Sequence, residues 1–232
     1  MFKNDFFLAL PEVVLSLFGI VILMIGVFFF KKKNPEILFW ISTVFIGLVT
    51  LFFYFAADLS YHGFNESFKF DAYGSFFKSI IFASAAIVLG LSIDYLKKIN
   101  LLTFEYPVLI IFSTIGMSVM ISATDMLVLY MGLELQSLAL YIMSAYRRDN
   151  LKSTEAGLKY FVLGALSSGI LLYGVSLIYG FTGTTNFHLI STSLKEEGMT
   201  LGVLFGLTFI LVGIAFKVSA VPFHMWTPDV YE

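Results

Sequence analysis

The residues able to do chemistry in this chain are few, and the first is Glu134, inside the apolar run LVLYMGLELQSLALYIM. A carboxyl in such a run can take up and release a proton. Tyr130, Ser137, Leu138 and Tyr141 fall on its helical face at i−4, i+3, i+4 and i+7, so two phenols and a hydroxyl can bond to it or hold water. Glu134 lies nine residues past Asp125, roughly 13 Å along a helix axis, which is close to mid-membrane. A charge there costs at least ~2.5–3.5 kcal/mol on insertion scales and marks a proton or ion site. The alternative is a protonated structural glutamate bonded to a neighbouring helix.

The second group is Lys217. It opens the end segment FKVSAVPFHMWTPDVYE after LGVLFGLTFILVGIA, a stretch with no charge. It stands sixteen residues past Leu201, roughly 24 Å along an unbroken helix. Snorkelling to the surface is the plainer reading. Pro222 argues against it, because proline removes a backbone donor and clashes with the carbonyl of Val218. Within a membrane such a break is tolerated where protein or a water-filled cavity satisfies the freed groups, and broken helices mark ion sites in transporters. His224 follows, beside Trp226. An imidazole suits a proton relay at neutral pH, and packing is its alternative. Lys159, one residue before the apolar run Tyr160–Gly180, reads by itself as a surface anchor. Glu12 and Asp125 read as interfacial.

Positioning these groups requires membrane-spanning elements. The chain is 59% hydrophobic and 13% charged, against about 45–50% and roughly 25% in ordinary soluble domains, so it reads as an integral membrane protein. Crossing ~30 Å of hydrocarbon takes about 20 apolar residues on a helix. Seven stretches are expected to cross: 6–30, 37–57, 76–93, 106–123, 126–146, 160–180 and 201 to about 221. Lys78 interrupts the third near one end, and a tight turn, Ser122–Asp125, separates the fourth and fifth. Strands are not expected, since the runs are long and lack alternation. The ladder Gly198, Gly202, Gly206 allows close helix packing.

Connections 31–36, 94–105 and 147–155 hold eight Lys/Arg, including Lys31–Lys33, against four on the other side (Lys3, Lys69, Lys78 and Lys195). The positive-inside rule then puts the N-terminus outside. A net charge of −2 without a basic patch argues against nucleic acid, and the absence of cysteine excludes disulfides and thiolate-held clusters. Dinucleotide fingerprint, P-loop, nucleophile elbow and H-E-x-x-H are all missing, and no residues that would hold an electron carrier stand out.

KVSAVPFHMWTPDVYE, together with Met131–Phe187, closely resembles the subunit N family of the proton-pumping NADH–quinone oxidoreductase, respiratory complex I. That broader antiporter-like family includes subunits of cation/proton antiporters. The resemblance is specific from about residue 120 to 232 and weaker before residue 100. It implies an all-α polytopic bundle, the first half of an inverted-repeat fold with a broken seventh helix. Residues 1–105 would be three leading helices and 106–232 an incomplete first repeat of four. Glu134 would be the family's glutamate, Lys217 the lysine of the broken helix and its ion-pair partner, and Lys159 the lysine of the sixth helix. Pro222 would mark the break and His224 an accessory group near the inner mouth. Family members continue through a second repeat, so the chain reads as truncated or partial.

The function implied is a membrane subunit that couples quinone reduction to proton translocation, an enzyme only as part of a translocase. No cofactor is expected on this chain; NADH, flavin, iron–sulfur clusters and quinone would belong to other subunits. Its partners would be other membrane subunits of complex I and the bilayer, in a bacterial inner membrane. A cation/proton antiporter subunit is the runner-up, although no acidic cluster suggests a sodium site. A truncated, non-transporting fragment is the third reading.

Overall fold

The computed structural model describes residue 6 and residues 8–29, 35–56 and 60–231. Lys3 and the basic run Lys31–Lys33 lie outside the described residues. The described chain forms helices α1 (Leu10–Phe29), α2 (Glu36–Phe55), α3 (Ala72–Lys98), α4 (Glu105–Ser122), α5 (Met126–Ser144), α6 (Leu151–Thr182), α7 (Phe187–Glu197), α8 (Leu201–Lys217) and α9 (Thr227–Tyr231), with two strands, β1 (Tyr61–Gly63) and β2 (Phe68–Phe70). Six of these helices, α1 to α6, are long and apolar enough to cross a membrane, and α8 is a shorter apolar helix. These helices make it a multi-pass membrane protein of all-helical spans.

Polar caps set several boundaries. Asp71, Asp125, Asn150, Asn186 and Thr200 each accept a hydrogen bond from a backbone N–H in the first turn of α3, α5, α6, α7 and α8. Gly183 closes α6 with a left-handed φ of 71°. These caps explain where the expected spans were too short. Helix α3 begins at Ala72, after its Asp71 cap and four residues before the expected start, and runs on to Lys98. Helix α6 begins at Asn150, so LKSTEAGLK is helical despite its polarity.

The chain divides into two compact units, Met1–Ala123 with Met131–Ala139, and Thr124–Tyr130 with Leu140–Glu232. In the first, α1 packs on α4 and α2 on α3. Leu15, Phe39, Ile46, Phe53, Phe82, Leu89 and Ile111 are fully buried between them. Helix α4 meets the middle of α5 at paired glycines: a Cβ on Gly116 would lie 2.7 Å from the carbonyl oxygen of Gly132. Strands β1 and β2 form an antiparallel hairpin, and Phe68 also bridges to Ala123 at the end of α4. This hairpin corrects the expectation of a chain without strands; it lies in a connection, where water can satisfy the edges.

In the second unit α6 and α8 run against each other. A Cβ on Gly174 would come within 2.7 Å of the Gly206 carbonyl oxygen, and one on Gly213 within 2.6 Å of Leu171 Cβ. Gly202 and Gly206 are therefore at the helix contact. Gly198 instead terminates α7 at φ 79° and takes no part in the ladder.

Candidate functional site

The last apolar helix stops sooner than its hydrophobicity suggests. Helix α8 ends at Lys217, and Ser219 adopts a left-handed φ of 57°. Ala220 N donates to Ala215 O at 2.8 Å and Ser219 N to Phe216 O at 3.1 Å. This paired pattern is a Schellman closure, here with serine in the position glycine usually takes. The turn comes one helical turn ahead of Pro222, whose ring would obstruct continuation past Val218. The expected span to about residue 221 is corrected accordingly. Seventeen residues give about 26 Å of helix, short of a full hydrocarbon crossing.

Beyond the break the chain folds back within the same unit. Trp226 is buried, stacks on Tyr160 with centroids 4.3 Å apart, and donates its indole N–H to Phe216 O at 3.3 Å. Tyr141 meets Tyr160 edge to face at 4.6 Å. Lys217 is half-buried beside this cluster: its Nζ donates to the Tyr141 hydroxyl oxygen at 3.3 Å and lies 5.7 Å from the ring centroid. Pro222 and His224 are both exposed on the returning segment.

Lys159 occupies the third turn of α6. Its Nζ lies 2.8 Å from Glu155 Oε1 and 2.9 Å from Asp229 Oδ2, with the side chain 44% exposed. A cavity of about 390 Å³ adjoins these carboxylates, lined also by Ser144, Asn150 and Ser153. Lys159 is thus tied to α9 as well as to its own helix. Glu134 is half-buried on α5, in the portion that belongs to the first unit. Asp125 is 7% exposed; it caps α5 and accepts from the Thr185 hydroxyl at 2.5 Å. It ties the α6–α7 connection to the start of α5.

The largest departure from the sequence reading concerns Glu12 and Lys78. Both were read as groups near the membrane surface. Instead Glu12 is 6% and Lys78 1% exposed, and Lys78 Nζ donates to Glu12 Oε1 at 2.5 Å. Ser118 of α4 donates to the same oxygen at 2.6 Å. The ammonium faces the rings of Phe53, Phe68 and Phe70 at 5.0, 5.3 and 5.7 Å. The available signal was two opposite charges, each a short way inside a different apolar span on the same side of the membrane. Among the described residues, no group of three His, Cys, Asp or Glu could hold a metal ion.

The profile of the NADH:quinone oxidoreductase/Mrp antiporter transmembrane family matches residues 123–232. NADH-quinone oxidoreductase subunit N of Rhodobacter capsulatus is 51% identical over all of this chain, which covers 48% of that protein. The chain spans about half the length of the curated relatives it matches. A chain in respiratory complex I from Thermus thermophilus superposes with a TM-score of 0.77 at 26% identity, over 95% of this chain and 47% of that one. A chain of an archaeal membrane-bound sulfane sulfur reductase gives 0.74 at 26% identity, over 97% and 47%. Residues 123–232 thus carry the transmembrane region of the NADH:quinone oxidoreductase/Mrp antiporter family, and the chain as a whole aligns with about half of subunit N.

Proposed function

We propose that this chain serves as an antiporter-like membrane subunit of an NADH–quinone oxidoreductase, coupling quinone reduction elsewhere in the complex to proton translocation. The observation that carries the reading is the 51% identity to a subunit N along the whole chain. Glu134, Lys217 and Lys159 are the proton-handling groups, with His224 accessory and Pro222 guarding the helix break. Residues 1–105 act as three leading helices and 106–232 as an incomplete first repeat of four.

The physical step is a switchable charge pair. Glu134 and Lys217 carry opposite charges in apolar surroundings and can each hold or release a proton, so a change in the charge felt by either shifts where the proton sits. Quinone chemistry needs only to move charges that bias this equilibrium. Within the second unit, Tyr141 offers Lys217 a fixed acceptor at 3.3 Å, which supports a role for the lysine at the break rather than at the membrane surface. Electrons do not pass through this chain. NADH, flavin, iron–sulfur clusters and quinone are bound by other subunits, and the chain's partners are further membrane subunits in a bacterial inner membrane, with the N-terminus outside.

A second reading, a cation/proton antiporter subunit, is favoured by the family description, which covers Mrp antiporters as well. Co-purification of the tagged full-length protein, followed by pumping measurements in proteoliposomes, separates the readings. Recovery with quinone-reductase subunits and quinone-driven proton uptake supports the proposal. Recovery with antiporter subunits and sodium-driven proton exchange overturns it. Recovery with quinone-reductase subunits that pump equally well without this chain would make it a non-transporting component.

A further inference from the structure

The buried pair of the first unit has a chemistry that the proposed site does not use. Glu12 Oε1 is doubly occupied, by Lys78 and Ser118, whereas Glu12 Oε2 is buried with no hydrogen-bond partner. A carboxylate oxygen in that position is a place for a water or a proton. Two more buried hydroxyls nearby also lack partners, Ser75 and Ser122. Ser75 stands one turn before Lys78 on α3, and Ser122 one turn after Ser118 on α4, so each continues the polar face away from the pair. The two helix ends meet there, since a Cβ on Gly74 would lie 3.5 Å from Ile121. Beyond them lies the β1–β2 hairpin, joined to the end of α4 through Phe68 and Ala123.

We propose that Glu12, Lys78 and Ser118 form a second proton-exchange site, open to the hairpin side of the membrane through a water line along Ser75 and Ser122. Hydronium arriving on that line gives its proton to Glu12 Oε2, leaving neutral carboxyl and water; the reverse step returns the proton to water. Lys78 is held in place by the carboxyl and by the faces of Phe53, Phe68 and Phe70. Its charge disfavours a metal cation at the same oxygen. Among the described residues, the hairpin beside the site carries His62 and Lys69, which face each other across β1 and β2 and act on Asp71. Asp71 caps the same helix and is paired with Lys69 at 2.5 Å. The acidic group of α4, Glu105, lies in its first turn, thirteen residues from Ser118 and about 20 Å away. The inference rests on the proton-translocating reading for its purpose, not for its chemistry.

The test is carbodiimide labelling of Glu12 in the assembled complex, read by mass spectrometry. The reagent adds to a protonated carboxyl in an apolar setting. Labelling of wild-type Glu12 is expected to rise as pH falls, with no effect of sodium at fixed pH. Lys78→Met is expected to raise labelling at neutral pH on the order of tenfold, because the opposite charge is gone. Glu12 unlabelled at every pH in wild type and in Lys78→Met overturns the site and leaves a structural pin. Suppression by sodium at constant pH overturns it in favour of a cation site. Both readouts are independent of pumping, so a Glu134 variant that pumps normally would end the proposed function while leaving this site standing.

Discussion

Replacing Lys78 by methionine in the full-length protein should be severe, and replacing Glu12 as well should undo much of the damage. The magnitude follows from burial: the side chains of Lys78 and Glu12 are 1% and 7% exposed and 2.5 Å apart. Removing one member of such a pair strands the other charge, which typically costs about 3–5 kcal/mol. Lys78→Met leaves Glu12 with the Ser118 hydroxyl as donor and takes away the ammonium that pairs with it. Glu12→Gln leaves the ammonium against three aromatic faces, which return on the order of 2 kcal/mol when desolvated, so that loss should be the smaller. The double variant removes both charges and keeps the volume, a change that is often neutral or stabilising. The cycle should therefore show a coupling energy near 3 kcal/mol, the upper end for contacting residues. Unfolding free energies in mixed micelles, by detergent titration, measure all four species. Because Glu12 can relieve itself by taking up a proton, the Lys78→Met deficit should also shrink at low pH. A strictly additive cycle, or a Lys78→Met protein as stable as wild type, refutes the reasoning.

Three further outcomes are expected. Gly116→Val should block assembly of the first unit, since the Cβ alone would meet Gln136 N at 2.6 Å and backbone cannot yield; yield of folded protein in detergent checks it. Asp71 is held below the usual carboxylate range: partial burial pushes it up, but the Lys69 ammonium and the Gly74 N–H together outweigh this. Its folded-state value being depressed, its stabilisation is fully present above about pH 4 and lost as pH falls through the lower folded value. Asp71→Ala should cost about 1 kcal/mol at neutral pH and progressively less in acid, read from unfolding curves at several pH values. Single cysteines at Phe64 and Arg148 should label from outside and inside respectively in intact cells; the opposite pattern reverses the orientation.

The apolar runs were legible because lipid demands them: α1, α2, α4 and α5 begin or end within a few residues of the expected limits. The expected end of α8 failed because hydropathy does not register a Schellman turn, and Val218, Ala220 and Val221 are as apolar as the helix before them. The start of α6 failed because its first two turns carry polar residues that the Asn150 cap makes helical. Glu134 and Lys217 stood out by their isolation in apolar sequence. Glu12 and Lys78 did not, since 66 residues separate them and each lies near the end of its own span. Their meeting is a tertiary fact, produced by α1, α3 and α4 packing around one oxygen.

The central claim is that Glu134 carries protons. In the full-length protein, assembled in its complex and reconstituted into liposomes, Glu134→Gln keeps size and hydrogen bonding but cannot ionise. Protons translocated per quinone reduced should fall sharply while the complex still assembles. An unchanged ratio at an unchanged quinone-reduction rate would remove Glu134 from the mechanism.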